Sequence, residues 1–126
     1  MVFVSILEYL HNKKELKMKL KAVNKNKEFV RAYRRGQCHV GSLVVLYVIK
    51  NRYGFTRFGI TSSKKIGNAV KRNRARRLLR ASVRALPFDM SNSVDIILVP
   101  RGKTPYSKQQ LVQAQLETLA QKAGLL

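Results

Sequence analysis

The sequence predicts a small α+β domain in the order helix, two or three strands, helix, strand, helix, with the helices against a central sheet. Three observations lead there. Residues 43–49, 55–62 and 94–99 are β-branched, aromatic or alternating, the pattern of strands. Residues 68–86 and the stretch from Ser107 onward carry apolar side chains at helical spacing. A chain of 126 residues that is 45% hydrophobic can bury one core and has no room for a second.

The first ten residues are mostly apolar and are followed by Lys13, Lys14, Lys17 and Lys19. A secretory signal has the reverse order, and Glu8 interrupts a run far too short to span a bilayer. Residues 1–17 therefore read as an extension without an assigned role, Met18 as a plausible start, and 18–126 as the domain. Within 26–36, Asn26 suits an N-cap, Glu28 favours the positive end of the helix dipole, and Gly36 can end the helix in a left-handed cap. Phe29 and Tyr33, four apart, share a face of that helix.

Residues 37–40 form a shorter strand leading into 43–49. The sequence Asn51-Arg52-Tyr53-Gly54 is a turn, which makes 55–62 the expected hairpin partner of 43–49. The long helix 68–86 places Ala75, Leu78, Leu79, Ser82, Val83 and Leu86 on one face and Asn73, Arg76, Arg77, Arg80 and Arg84 opposite. Strand 94–99 ends at Pro100. Ser107 with Gln110 makes a capping box for the last helix, whose buried side is Val112, Leu116, Leu119, Ala120 and Ala123 and which Gly124 can close.

The charge narrows the function. There are 26 Lys and Arg against 6 Asp and Glu, a formal net charge of +20. From Phe29 to Phe88 there is no acidic residue, yet that stretch holds fifteen Lys or Arg and most of the core pattern. The folded body itself is basic, a balance that calls for a polyanion, most commonly nucleic acid. One cysteine excludes a disulfide scaffold, and with two histidines it speaks against a structural zinc site. Unpaired, Cys38 fits a reducing cytoplasm and reads as a small buried hydrophobe. His11 and His39 have no partner pattern and read as surface or loop residues. A nuclease acting by itself needs clustered carboxylates. The only two Asp residues are Asp89 and Asp95, and Asp95 sits inside an apolar strand.

The most informative segment is Ser63-Lys64-Lys65-Ile66-Gly67-Asn68-Ala69-Val70-Lys71-Arg72-Asn73-Arg74-Ala75-Arg76-Arg77-Leu78-Leu79-Arg80. Eight of its eighteen residues are Lys or Arg and none is acidic. A strand ends, a glycine turn follows and a helix begins, so free backbone N–H groups and the dipole face any phosphate placed there. Arg forks extend that cradle along the helix, and Asn68 and Asn73 can donate to sugar or base edges. With no carboxylate for i,i+4 pairing, the row is costly unless a polyanion covers it.

This segment closely resembles the signature of the bacterial ribonuclease P protein subunit, with Arg72-Asn73-Arg74 as its hallmark. The stretch from Lys27-Glu28-Phe29 to Arg35-Gly36 looks like that family's first helix. Residues 44–48 resemble its central strand and 94–101 the strand after the signature helix. The resemblance covers about residues 19–123; the apolar start is not part of the pattern. It implies a left-handed strand–helix–strand crossover and an accessory role, in which the protein helps a catalytic RNA remove the 5′ leader of precursor tRNA. The RNA then carries the active site and binds Mg²⁺, the protein binding no cofactor tightly. Lys64, Lys65, Asn68, Lys71, Arg72, Asn73, Arg74, Arg76, Arg77 and Arg80 become the expected RNA-subunit contacts. Phe29, Tyr33 and Tyr47, with Arg34 and Arg35, become the expected cleft for the single-stranded leader, since aromatics stack bases while cations follow the backbone. Phe29 and Tyr33 can equally anchor the short helix. The expected partners are the RNA subunit and precursor tRNA, with no membrane and no obligate protein partner. A structural RNA-binding protein, such as a ribosomal protein of similar fold, shares the composition but not this signature.

Overall fold

The computed structural model describes residues 21–23 and 25–126. The extension 1–17, Met18 and His11 lie outside the described residues. Five strands make one mixed sheet: β1 (Lys21–Ala22), β2 (Gln37–Val40), β3 (Val44–Lys50), β4 (Arg57–Ile60) and β5 (Val94–Pro100), in spatial order β1-β4-β5-β3-β2. Helix α1 (Asn26–Arg35) precedes β2, α2 (Ala69–Ala85) joins β4 to β5, and α3 (Gln109–Lys122) ends the fold. The α+β class and the element order are those the sequence predicts.

Strand alternation sends side chains to two cores. Val44, Leu46, Phe58, Ile96 and Leu98 meet Leu79, Val83 and Leu86 of α2 and its end, and Val112, Leu116, Leu119 and Ala120 of α3. On the other face Ile97, Tyr47, Ile49 and Val99 meet Ala32 and Phe29 of α1. The apolar faces expected for α2 and α3 are therefore the packed ones, with Leu78 only half-buried. Gln115 docks α3 on the β2–β3 turn, its Oε1 accepting from the Leu43 and Val44 backbone N–H groups at 2.6 and 2.9 Å.

The hairpin expected between 43–49 and 55–62 does not form. β3 pairs antiparallel with β2 on one edge and β5 on the other, while β4 pairs parallel with β5. The cause is electrostatic as well as apolar. Arg57 is the register partner of Asp95, and its Nε and Nη2 donate to Asp95 Oδ1 and Oδ2 at 2.8 and 2.6 Å. Arg57 Nη2 also donates to Glu28 of α1 at 2.6 Å, and the Tyr53 ring lies 4.1 Å from the guanidinium. Hydrogen bonding to Asp95, against the opposing effect of burial, holds the guanidinium's proton more tightly than usual. Asn51 completes the arrangement, donating to Asp95 Oδ1 at 2.8 Å and to the Phe55 carbonyl at 3.1 Å. Glu28 thus serves an ion pair as well as the helix dipole.

Several local expectations are corrected. Asn26 is the first helical residue of α1, and Lys25 occupies the cap position without a side-chain cap bond. Gly36 is extended, not left-handed; a side chain there would strike the Ala32 and Val48 carbonyl oxygens. Ser107 donates to the Lys103 carbonyl at 2.8 Å, closing the 3₁₀ turn Thr104–Tyr106, so α3 starts two residues later and the capping box is absent. Gly124 does close α3: its φ is +75°, its N–H meets the Gln121 carbonyl and the Leu125 N–H meets the Ala120 carbonyl, a Schellman ending. Cys38 is exposed on β2, and His39 is half-buried on the same strand.

Asp95→Ala leaves Arg57 buried with half its partners. The expected loss is about 3 kcal/mol in urea unfolding, whereas Glu28→Gln, at the more open end, is expected to cost about 1 kcal/mol.

Candidate nucleic-acid interface

The loop after β4 turns into α2 through the 3₁₀ turn Lys64–Ile66, with Lys64 and Lys65 exposed. Gly67 then adopts φ +136°, ψ −154°, a conformation open essentially only to glycine. A Cβ there would lie 2.8 Å from Lys71 Cδ, so the missing side chain also makes room for the Lys71 stem. Asn68 caps the helix, its Oδ1 accepting from the Lys71 backbone N–H at 3.0 Å. Its carbonyl oxygen is thereby occupied while its amide donors remain.

At about 100° per residue, Asn73, Arg77, Arg80 and Arg84 project away from the buried Ala75, Leu79 and Val83. Arg76 lies on one flank and Arg74 on the other, while Lys71 and Arg72, in the first turn, fall on the packed side beyond the core and are half-buried. Asn73, Arg74, Arg77 and Arg80 are exposed. Arg76 donates to Asn73 Oδ1 at 2.5 Å, which ties two expected contacts into one unit. Arg74 donates through Nε to the Pro105 carbonyl, so part of its fork is used within the protein. Lys71 Nζ stands 5.0 Å from the centre of the Tyr106 ring. Among the described residues both ion pairs belong to Arg57, so no carboxylate neutralises this helix. The structure brings together the ten residues expected to bind RNA as one turn and one helix, two of them engaged at the loop before α3.

The aromatic set lies on the other face of the sheet. Tyr33 is 41% exposed and meets Tyr47 edge-on, ring centres 4.9 Å apart at 69°. Tyr47 is half-buried, and burial, with Cys38 across the strand pair and Tyr33 beside it, pushes its phenol above the ordinary value. It therefore stays a neutral hydrogen-bond donor. Phe29 packs over Gly59, where a Cβ would come 2.9 Å from Phe29 Cε1 and from Ile97 Cδ1. Phe29 is thus an anchor of α1, and Tyr33 is the ring presented to solvent. Arg34 and Arg35, with Lys27, Val30 and Arg31, line a shallow groove of about 340 Å³ along α1, and Arg35 also reaches a second groove beside Val48 and Ile49 of β3.

Sequence reading missed two participants. Pattern does not set Arg57 apart from the other cations, and its register with Asp95 reveals its structural use. Tyr106 belongs to no periodic segment, and the fold carries it to the start of α2.

A mixed α+β domain with one strongly cationic helix face, and on the opposite side an exposed Tyr33 against a half-buried Tyr47, defines a small basic protein whose surface suits a polyanion. The comparisons make the class specific. The family model described as Ribonuclease P matches residues 17–124. The chain is 39% identical over 109 residues to the ribonuclease P protein component of Clostridium botulinum strain 657, covering 86% of this chain and 98% of that one. It is 39% identical over 104 residues to the homologous component of Thermoanaerobacter sp. strain X514, covering 82% and 84%. The solved Staphylococcus aureus RNase P protein superimposes with TM-score 0.73 at 30% identity, covering 85% of this chain and 98% of that one. The chain belongs to the ribonuclease P protein family. Among the described residues, no helix is long and apolar enough to cross a membrane.

Burial separates the two aromatics of α1. Phe29→Ala is expected to lower unfolding free energy by about 2 kcal/mol, and Tyr33→Ala by under about 1 kcal/mol, measured in the same urea titration.

Proposed function

We propose that this chain is the protein subunit of a ribonuclease P in the cytoplasm and assists a catalytic RNA in removing the 5′ leader of precursor tRNA. The observation that carries the reading is the α2 surface: eight cations in eighteen residues, no acidic neighbour, and a helix start held open by Gly67. Lys64, Lys65, Asn68, Lys71, Arg72, Asn73, Arg74, Arg76, Arg77 and Arg80 contact the RNA subunit, Arg77 and Arg80 gripping phosphates with forks that have no partner among the described residues. The leader passes on the opposite face. A base stacks on Tyr33, Tyr47 supports that ring edge-on, and Phe29 sets the distance of α1 from the sheet. Arg34 and Arg35 attract the strand's backbone from the outer side of the same helix.

Hydrolysis is assigned to the RNA. Among the described residues no three His, Cys, Asp or Glu side chains come together as metal ligands. By resemblance to the family, the assembly's Mg²⁺ would be held by the RNA subunit, where it would supply an activated water and charge stabilisation. The protein's part is binding and orientation, which lowers the Mg²⁺ needed by neutralising phosphates and holds the leader beside the RNA's reacting bond.

Reconstitution tests this. The protein is mixed with a bacterial ribonuclease P RNA at low Mg²⁺, and cleavage of a precursor tRNA is followed. Faster cleavage at the mature 5′ end, with none from protein alone, is expected. Binding without gain in cleavage, repeated with the cognate RNA, would point instead to a structural RNA-binding protein.

Binding to the RNA subunit is expected to weaken with salt, with a log–log slope of roughly 0.7–0.9 per neutralised phosphate. The double change Arg77→Ala with Arg80→Ala is expected to cost about tenfold in affinity and to reduce that slope by about 1.5. A filter-binding series across salt concentrations measures both.

A further inference from the structure

We infer that Tyr106, in the loop between β5 and α3, is a stacking platform for an unpaired base of the RNA that lies along α2. The inference rests on the reading of α2 as the RNA-facing helix and adds a contact from outside it. Tyr106 is 68% exposed, although the residues just before it, Thr104 and Pro105, are buried. The loop is fixed without the tyrosine ring. The Thr104 hydroxyl donates to the Leu43 carbonyl and accepts from the Arg101 N–H at 2.9 Å. The Pro105 carbonyl receives Arg74 Nε of α2. The 3₁₀ turn closes through Tyr106 N–H to the Lys103 carbonyl at 3.1 Å. The backbone is thus bolted to β3 and to α2, while the ring it carries faces water.

The ring's place is set by the signature helix. Lys71, its stem in the space left by Gly67, holds its ammonium 5.0 Å from the ring centre. A cation against an aromatic face is the pairing that also attracts a nucleobase and its phosphate. The surroundings share that sign. Arg101, Lys103 and Lys108 are exposed in the same loop, and no acidic residue occurs between Asp95 and Glu117. A ring needed only for packing would be covered, and this loop already has Thr104 and Pro105 for that purpose. A rigid, exposed ring in a carboxylate-free basic surface suits a flat, uncharged group attached to phosphates, which is an unpaired base. Tyr33 and Tyr47 lie across the sheet, so the two stacking positions serve different strands.

The chain contains no tryptophan, so Tyr106→Trp supplies a single reporter. Titrated with a bacterial ribonuclease P RNA, this variant is expected to bind within about twofold of the original and to show quenched tryptophan emission at saturation. Tyr106→Ala is expected to lose about tenfold in affinity for the same RNA with its thermal midpoint unchanged, and Tyr106→Phe to keep the affinity. Unchanged emission from Tyr106→Trp, or full affinity of Tyr106→Ala while Arg77→Ala with Arg80→Ala binds weakly, would overturn the stacking role and leave the α2 surface standing. Full affinity of all these variants would remove the α2 reading itself.

Discussion

The bidentate pair between Arg57 and Asp95 determines how the rest of this molecule is arranged. A charged residue in each of two strands is unfavourable unless they meet. They meet only if β4 and β5 are neighbours in the parallel register observed. That pairing makes the segment between them a crossover, and the crossover is α2. The same guanidinium reaches Glu28 and so fastens α1 to the opposite face. One side chain thus links the two strands that flank the α2 crossover to the helix that carries Tyr33. The pair confers specificity of strand pairing more than net stability, because removing two charges from water costs about as much as their attraction returns.

Charge distribution follows from that use. Of the few carboxylates, Glu28 and Asp95 turn inward to Arg57, and Asp89 accepts from the Ser91 hydroxyl and N–H at a loop, bonds that hold its carboxyl below the usual range. None reaches α2. A helix with this density of like charge gains little from its own surface and is held by Leu79, Val83 and the strands beneath. Core packing therefore carries the repulsion that leaves the surface fit for a polyanion, and a bound polyanion would relieve it.

The sequence made the helices legible because their periodicity is strong. Ala75, Leu79, Ser82 and Val83 fall on the packed face as their spacing predicts, and the basic face is what remains. Strand order was not legible from pattern. Residues 43–49 and 55–62 both look like good strands joined by a turn, and nearest-neighbour pairing is the ordinary outcome. What defeats it is a long-range ion pair, visible in the sequence only as an Asp inside an apolar run. The expected cap at Ser107 failed for a related reason: its hydroxyl could accept from an N–H of the following helix or donate to a carbonyl behind it, and in the fold it donates to the Lys103 carbonyl. The aromatic residues were legible as a set but not as roles. The difference between Phe29 and Tyr33 depends on Gly59, thirty residues away in sequence and directly beneath the Phe29 ring.

The sheet itself divides the proposed labour. Its two faces carry different helices, and alternation sends Leu46 and Ile96 to one core and Tyr47 and Ile97 to the other. A strand of nucleic acid against Tyr33 and another against α2 would be separated by the thickness of the domain, with the sheet between them pinned at one end by Arg57. Positioning of this kind needs no catalytic group on the protein. It needs two binding surfaces whose geometry does not change when one is filled, and a packed sheet between them that resists shear. The Glu28–Arg57–Asp95 link, closed by Asn51 and covered by Tyr53, ties α1 to that sheet, and the Leu79 and Val83 core ties α2 to it. A protein that served only to neutralise phosphate would have no physical reason to bury Arg57 against Asp95, with Glu28 half-buried beside them, while it has so few carboxylates to use.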